Sequence, residues 1–360
     1  MIILFLCCVE DIVELLYKKI LHTLITHEIE FYFHSPNKII NETLLNSFED
    51  IRKDKYQHNF ITDIITIKEK NISHIFYQLC YNDYYSEKLK SNNIKKIYKN
   101  SKICYYNYGY SMVDHNFLNG VGENSDFFAE CNYFFLENDL NTQHYSDRII
   151  QSLKKSNISQ DKINFKSIGC IKLDVFNNLN RINDSNEYFN IMWCPRWHTS
   201  GEFNLCSYNK CAKYFIKLID DNKKIKLIFR PHPKTNYSIE ELEDASKKNS
   251  RIIIDKSNNY FQYFKYIDVF ISDPSSLLAE ALYFNIPIIY TKNYDNVFTK
   301  FGNTIQDAFY HVTDINQLDD SIKNIINNKD HKKDIRLKYK KKFYDPYKNS
   351  CETLINLLKN

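Results

Sequence analysis

Residues 266–291, "YIDVFISDPSSLLAEALYFNIPIIYT", decide the fold class. A short apolar run ends at Ser272, a turn that contains Pro274 follows, and a helix-forming run then leads into a second apolar run. A strand, a helix and a strand in this order form a unit whose strands run parallel. We therefore expect a parallel sheet in this half of the chain.

The same alternation extends over the whole sequence and predicts two α/β domains. The apolar runs that we interpret as strands are "MIILFLCC", "IEFYFH", "KICYYNYG", "YFFLEN", "FNIMWCP", "IKLIFRPHP", "RIIID", "DVFISD" and "IPIIYT". The polar stretch 177–188, "NNLNRINDSNEY", is the expected linker, and a cleft is expected where the domains meet. The predicted division is 1–180 for an N-terminal acceptor-side Rossmann-like domain, 181–330 for a C-terminal nucleotide-donor domain and 331–360 for a basic helical segment.

Composition limits the classes of partner and site. The formal net charge of the 360 residues is +4, which is too small to argue for nucleic-acid binding. The ten cysteines form neither a CxxC pair nor a zinc-ligand spacing with histidine, so we expect buried free thiols in a reducing cytosol. Glu10 and Asp11 cut the first apolar run short of a membrane span, and this run is expected to be a buried strand.

The turn "SDPSS" is a candidate anion site. Asp273 is the expected N-cap of the helix and Pro274 its first residue. The amides and hydroxyls of Ser275 and Ser276 would then lie at the positive end of the helix dipole, where a phosphate binds without a metal. Glu280, one turn later and expected to be exposed, can accept hydrogen bonds from ribose hydroxyls. A capped structural helix would have the same sequence.

The turn "FRPHPK", residues 229–234, is the second candidate. Pro231 and Pro233 restrict the backbone on both sides of His232, so the ring is expected in a stiff loop at the end of a strand. His232 can donate to a phosphate oxygen and Arg230 can form a forked contact with the same group. A purely structural histidine is the alternative.

The chain beyond residue 329 is rich in lysine. A solvated helix face explains this pattern, and attraction to an anionic membrane surface or to a polyanionic acceptor is the alternative.

The order and spacing of the motifs in residues 165–355 resemble those of the CDP-glycerol glycerophosphotransferase family. This family contains the teichoic acid and capsule polymer transferases with a GT-B fold. "IGCIKLD" is similar to the family's G-N-P-(R/K)-x-D segment, "IMWCPRWHT" to I-L-Y-A-P-T-W-R, and "FRPHP" to (R/K)-x-H-P. "ISDPSSLLAEALYFNIPIIY" is similar to the family's segment around T-D-Y-S-S. "SCETLINLL" resembles the terminal S-x-R helix, with Thr353 in place of the arginine.

The resemblance implies two Rossmann-like domains facing a cleft and a donor site in the second domain. His232 would contact the phosphates of the donor, and Ser275 and Ser276 would bind its pyrophosphate. Arg196 lies near, but not at, the arginine of the P-T-W-R segment. Family members cleave CDP-glycerol, pass glycerol phosphate to a hydroxyl of a polymer or lipid-linked primer, and release CMP.

The first half departs from the family pattern. "ICYYNYGYSMVDH", residues 103–115, carries Tyr108 before Gly109, where the family has the catalytic histidine of an H-G-T turn. An unperturbed tyrosine is a poor base at neutral pH because its pKa is about 10. His115 is the favoured general base, with Asp114 as the alternative.

The expected partners are a CDP- or CMP-linked donor and a polysaccharide or lipid-linked acceptor, and no cofactor is expected. The sequence has no DxD-type acidic pair at a strand end, so the reaction is expected to be independent of metal. The expected location is cytoplasmic, with peripheral contact to the inner face of the membrane as an option. Two functions stay open as alternatives: a GT-B glycosyltransferase that uses a CMP-linked or other nucleotide sugar in capsule or lipooligosaccharide synthesis, and a non-catalytic nucleotide-binding module.

Overall fold

The computed structural model describes residues 1–8, 13–46, 53–114, 125–159, 162–176, 187–197, 206–257, 260–292 and 297–360. The strands are β1 (Ile2–Leu6), β2 (Glu30–His34), β3 (Phe60–Ile61), β4 (His74–Tyr77), β5 (Lys102–Tyr106), β6 (Cys131–Leu136), β7 (Asn164–Ser167), β8 (Phe189–Cys194), β9 (Ile225–Phe229), β10 (Ile252–Ile254), β11 (Val269–Ser272), β12 (Ile288–Thr291) and β13 (Tyr310–Val312).

The helices alternate with these strands along the chain. They are α1 (Val13–Thr26), α2 (Lys38–Asn46), α3 (Lys53–Tyr56), α4 (Ser91–Ile97), α5 (Ser125–Glu130), α6 (Asp139–Lys155), α7 (Tyr208–Asp221), α8 (Glu240–Lys248), α9 (Phe261–Phe264), α10 (Leu277–Tyr283), α11 (Lys300–Ile305), α12 (Ile315–Ile326), α13 (Lys333–Phe343) and α14 (Ser350–Lys359).

The strands form two sheets, and all their neighbouring pairs run parallel. The first sheet has seven strands in the order β3-β2-β1-β4-β5-β6-β7, and the second has six in the order β10-β9-β8-β11-β12-β13. In each sheet the chain first builds strands to one side and then returns to the other side of its first strand. This is the doubly wound order of Rossmann-like sheets, which confirms the predicted fold class.

Strand β1 of the first sheet is a continuous apolar run because this sheet is buried on both faces. In the first sheet Leu4 and Leu6 contribute to one core cluster, whereas Ile3 and Phe5 contribute to another. Successive side chains of a strand point to opposite faces, so two separate cores require helices on both sides. The run "MIILFLCC" is therefore a buried strand, as predicted.

The chain forms two compact units, and two segments belong to a different unit from the residues beside them in sequence. The first compact unit contains the described residues up to Gly109, those of 125–176, and Tyr347–Asn360. The second contains Tyr110–Asp114 and the described residues of 187–346. The predicted linker lies mostly outside the described residues, since 177–186 are not among them.

The segment Tyr110–Asp114 is bound into the second unit by backbone hydrogen bonds. Val113 forms an antiparallel bridge with Phe298, and the Thr299 amide donates to Met112 O over 3.0 Å. A Cβ atom on Gly302 would lie 2.1 Å from Met112 O, so only glycine allows α11 to approach this backbone.

The last helix, α14, is held in the first unit by a buried carboxylate. Asp174 Oδ1 accepts the Ser350 amide at 2.9 Å, and Oδ2 accepts the Cys351 amide at 2.6 Å. Gly169, with φ +91°, permits the close contact beside them, because a Cβ there would lie 2.3 Å from Ser350 Oγ. The two sequence motifs that contain Gly169 and Ser350 thus form one structural joint.

The cysteines are free thiols, as the sequence predicts. All ten cysteines are free, and nine of them are buried. Of the helices in the described ranges, none combines the length and the apolarity that a bilayer crossing requires.

We predict that Asp174→Ala destabilises the protein by about 1–2 kcal/mol, because two helix N-terminal amides lose their acceptor. The change in free energy of unfolding can be measured with urea. Asp221→Ala, which truncates an exposed carboxylate, is the control and is expected to stay within about 0.5 kcal/mol of wild type. An equal effect of both substitutions would contradict the capping role.

Candidate functional site

The candidate site lies where the strand order of the second sheet reverses. β8 pairs with β9 on one side and with β11 on the other, and all three run parallel. Their carboxyl ends therefore share one edge of the sheet, and ligands of open α/β sheets bind at this point. Adjacent strands are about 4.8 Å apart, so the turns after β9 and β11 begin about 10 Å from each other.

Asp273, the first residue after β11, holds three loops of this edge together. Its Oδ2 accepts the amides of Arg196 at 2.8 Å and of Ser207 at 2.9 Å. Its Oδ1 accepts the hydroxyl of Thr291, at the end of β12. Asp273 is fully buried, and this burial raises the pKa of its carboxyl to about 6.

The predicted N-cap role of Asp273 is therefore wrong. Helix α10 begins at Leu277, and Ser276 is its N-cap residue, without a side-chain capping bond. The carboxylate of Asp273 is already used by Arg196, Ser207 and Thr291, which explains why the helix starts later than predicted. Pro274 precedes the helix and is not its first residue.

Ser275 and Ser276 form the turn that leads into α10, and both are partly exposed. The first backbone bonds of the helix run from the Leu278 amide to Ser275 O at 3.3 Å and from the Ala279 amide to Ser276 O at 3.1 Å. The backbone amides before Leu278 come ahead of the first hydrogen bonds of the helix, as the first amides do at every helix start. Ser272 Oγ lies 2.9 Å from Cys194 O and 3.2 Å from Ser275 Oγ, which ties this turn to the end of β8.

His232 lies in the turn after β9, and its ring is neutral. Its Nδ1 accepts the amide of Lys234 at 3.0 Å, so the ring proton is assigned to Nε2. Burial, as the larger cause, and the positive charges of Arg196, Lys234 and Arg230 together lower the pKa of His232 to about 4. At neutral pH the imidazole is therefore a hydrogen-bond donor through Nε2 and carries no charge.

Trp197 forms an aromatic and cationic cluster with this histidine. The ring centroids of Trp197 and His232 are 4.3 Å apart. The Arg196 guanidinium lies 4.3 Å from the Trp197 ring, and Lys234 Nζ lies 5.8 Å from it. Because Arg196 follows β8 and His232 follows β9, this cluster joins two neighbouring turns and concentrates positive charge there.

Arg230 is anchored to the protein itself. Its Nη1 donates to Asp255 Oδ2 at 2.5 Å and to Ser257 O at 2.7 Å. Its guanidinium also lies 4.8 Å from the ring centroid of Tyr260, and its side chain is largely buried. These contacts orient Arg230 beside the His232 turn, and the predicted forked contact to a phosphate stays a prediction.

Glu280 is buried, so the expected exposed carboxylate is wrong. No part of its side chain is accessible, and its Oε2 accepts the hydroxyl of Tyr260 at 2.7 Å. Glu280 lies on the inner side of α10, where it fixes the ring on which Arg230 rests. Its predicted contact with a ribose would require Tyr260 to move.

The residues considered for the general base follow β5 in the sequence. His115 lies outside the described residues. Asp114 belongs to the second unit, and its amide donates to Val297 O at 2.7 Å. Tyr108 is exposed in the first unit, directly after Asn107. In the described parts of the chain no group of three or more His, Cys, Asp and Glu residues could hold a metal ion.

The structure thus brings Arg196, Arg230 and His232 together at the edge that also carries Ser275 and Ser276. Sequence analysis missed Trp197, Asp255, Tyr260 and Thr291, which position these groups. Trp197 is part of the motif "IMWCPRWHT", and its position directly after Arg196 was the signal that could have identified it as a site residue.

We predict that Asp273→Asn changes the pH dependence of stability. The pKa of Asp273 is higher in the folded protein than the ordinary value of about 3.9. The stability that this group contributes is therefore fully present below about pH 4 and is lost as the pH rises through about 6. The free energy of unfolding of the wild type, relative to Asp273→Asn, should fall between these pH values, as urea unfolding can measure.

Asp320→Asn, a substitution of an exposed carboxylate, is the control for this measurement. Its difference from wild type should stay within about 0.5 kcal/mol at each pH. A wild-type advantage over Asp273→Asn that grows with pH would show that the buried carboxylate has the opposite linkage.

Comparisons with known proteins identify the fold. No protein-family model matches the sequence, and no curated protein sequence matches it. Solved structures do: the wall teichoic acid polymerase TagF matches with a TM-score of 0.61 and 15% identity, covering 100% of this chain and 88% of that one. UDP-GlcNAc 2-epimerase from Neisseria meningitidis, bound to UDP-GlcNAc, matches with a TM-score of 0.62 and 10% identity, covering 100% and 99%.

The UDP complex of MnaA from S. aureus matches with a TM-score of 0.61 and 12% identity, covering 99% of this chain and 96% of that chain. All three identities are too low to carry an activity across. The chain therefore has a GT-B-like fold of two Rossmann-like α/β units.

Proposed function

We propose that this protein is a cytoplasmic transferase that moves glycerol phosphate, or a similar polyol phosphate, from a CDP-linked donor to a hydroxyl of a cell-surface polysaccharide or teichoic-acid-like acceptor. One observation carries the proposal: the His232 turn and the Ser275–Ser276 turn lie on either side of β8 at the switch point of the second sheet. A wall teichoic acid polymerase that shares the fold has been soaked with CDPG, which supports a donor of this class.

The donor's diphosphate would lie between these two turns. His232 would donate through Nε2, Arg196 would supply positive charge, and the two serines would donate through amides and hydroxyls. A neutral hydrogen-bond donor, the His232 ring, and a fixed cation at the same edge of the sheet would stabilise the negative charge that develops on the leaving CMP. Arg230 would support the His232 turn and add a cation beside it.

The proposed transfer is a displacement at the phosphorus that carries glycerol. The acceptor oxygen forms a new bond to this phosphorus, and the bond from the same phosphorus to the bridging oxygen breaks. CMP leaves with that oxygen and its electron pair. The hydroxyl proton passes to a general base, for which His115 stays the proposed residue and Asp114 the alternative.

A nucleotide-sugar enzyme is the second candidate. It is favoured by the fold similarity to MnaA, whose structure holds UDP, and to a UDP-GlcNAc 2-epimerase whose structure holds UDP-GlcNAc. In that case the bond at the sugar carbon would break instead of the bond at phosphorus. Incubation with CDP-glycerol, CDP-ribitol, CMP-linked acidic sugars and UDP-sugars separates the candidates, because mass spectrometry distinguishes CMP, CDP and UDP as products.

A nucleotide-binding module without turnover is the third. Calorimetric binding of a cytidine nucleotide, with no product from any donor in the presence of acceptor, would favour it.

We predict that His232→Ala lowers turnover of CDP-glycerol by about 10²–10³-fold, because a donor to the developing charge is lost. His232→Gln places an N–H near the position of Nε2 and should retain more activity than His232→Asn, whose N–H corresponds to Nδ1. CMP release is the measurement. His331→Ala, at an exposed histidine, is the control and should be fully active.

Equal activities of the Gln and Asn variants would argue against donation through Nε2. Wild-type activity in His232→Ala would remove the phosphate role of this turn.

The basic segment is proposed to contact an anionic membrane surface. Lys333, Lys338, Lys341 and Lys342 are exposed on α13, on the side that also exposes Leu337. Each lysine near such a surface contributes about 1 kcal/mol.

Replacing Lys338, Lys341 and Lys342 by Gln should therefore weaken binding to phosphatidylglycerol vesicles by roughly a hundredfold. Vesicle co-sedimentation is the measurement. The matched control changes three exposed lysines of the same unit, Lys217, Lys223 and Lys224, to Gln, and a similar loss in that control would mean that only net charge matters.

A further inference from the structure

Exposed aromatic rings are confined to one place in the described part of the chain. The sequence contains 28 tyrosines, 25 phenylalanines and 2 tryptophans. Of those that the structure describes, only Tyr84, with 57% exposure, and Tyr108, with 39%, lie open to solvent. The described part of the chain otherwise shields its rings and leaves these two accessible in the same unit.

The two rings lie at the same edge of the first sheet. Tyr84 is in the segment that follows β4, and Tyr108 is in the segment that follows β5. β4 and β5 are parallel neighbours, and Tyr77 pairs with Tyr105 at their carboxyl ends. Both segments therefore leave the sheet side by side, next to the point where its strand order reverses between β1 and β4.

Tyr81 connects the two exposed rings. Its ring centroid lies 5.7 Å from that of Tyr84, with the planes tilted by 45°. Burial is the main cause that raises the pKa of Tyr81, and the neighbouring groups Cys80, Tyr108, Tyr145 and Tyr84 raise it further, so Tyr108 lies near Tyr81 as well. The three tyrosines thus form one cluster, half-buried at Tyr81 and open at its ends.

A buried carboxylate fixes the turn that carries Tyr108. Asn107 Nδ2 donates to Glu137 Oε1 at 2.6 Å, and Asn141 Nδ2 donates to Glu137 Oε2 at 3.1 Å. Tyr105 donates to Asn107 Oδ1 at 3.2 Å. Glu137 is completely buried, so Asn107 and the neighbouring Tyr108 are held on a rigid support.

In the described segment that carries Tyr84, the charges are balanced. Asp83 and Glu87 are exposed on the same segment as Lys88 and the half-exposed Lys90, and Glu87 pairs with Lys90 at 2.8 Å. Such a surface does not concentrate positive charge, so a polyanion gains little there. Phenol rings present an apolar face and a hydroxyl together, which suits a neutral ring compound with many hydroxyl groups.

We propose that Tyr84, Tyr108 and Tyr81 form a binding subsite for a neutral saccharide. The C–H face of a sugar ring would lie against the tyrosine rings, and the tyrosine hydroxyls would bond to sugar hydroxyls. The subsite would hold a sugar of the acceptor, and this role, though not the binding itself, rests on the proposed transferase function.

The test measures binding of chitobiose and maltose to the full chain in the absence of any nucleotide donor. Saturation-transfer NMR detects the contact, and calorimetry gives the affinity. Tyr84→Ala and Tyr108→Ala should each weaken binding by up to about tenfold, and Tyr84→Phe should retain most of it, since stacking contributes more than the hydroxyl. Tyr188→Ala, at a half-buried tyrosine in the other unit, should bind like wild type.

Thermal unfolding of each variant checks that a loss of binding is not a loss of fold. The proposal is overturned if neither disaccharide binds to the wild type, or if both alanine variants bind unchanged. If poly(glycerol phosphate) bound to the wild type and the disaccharides did not, and if Tyr84→Ala abolished this binding, the assignment of a neutral saccharide as the ligand would be overturned. Saccharide binding without any turnover of CDP-glycerol would support the proposed subsite and would count only against the proposed transferase reaction.

Discussion

The site of the second unit depends on one buried carboxylate. Removing the charged Asp273 from water costs several kcal/mol, and hydrogen bonds to a charged group, about 1.5–3 kcal/mol each, offset part of that cost. Three such bonds join the ends of β8, β11 and β12. The first unit solves the same problem with a neutral group: Gln78, directly after β4, accepts the Cys8 amide at 2.8 Å and the Cys7 thiol at 3.1 Å. At these two corresponding strand ends, after β11 and after β4, the second unit uses a charged group and the first unit a neutral one.

The sheets could be predicted from sequence where the strands are continuous apolar runs. β1, β8 and β11 are of this kind, because burial on both faces favours apolar side chains, and Asn190 and Ser272 are their only polar residues. The strands that the prediction omitted are short or polar: β4 has four residues and begins at His74, and β7 alternates exposed and half-buried residues at the edge of its sheet. Their positions come from pairing with neighbours far away in sequence, which periodicity does not report.

For the candidate site, sequence analysis found the turns but misjudged how their residues are used. His232 and the two serines lie at a common edge because each follows a parallel strand, and this rule can be applied to sequence. The partners of Asp273 and Glu280 are Ser207, Thr291 and Tyr260, which approach only after the strands have assembled. A carboxylate in a helix-start motif therefore gave no sign that it would be buried. The passage of Tyr110–Asp114 into the second unit is equally a matter of tertiary contacts.

The attachment of α14 to the first unit has a consequence for how the protein is made. Cys351, Leu354, Ile355 and Leu358 belong to the same apolar cluster as Ile3 and Phe5 of β1. These partners are separated by nearly the whole length of the chain. A ribosome releases the N-terminal strands long before the residues of α14 that cover part of them, so this core is complete only after α14 has been synthesised. The half that is synthesised first is the half that must be completed last.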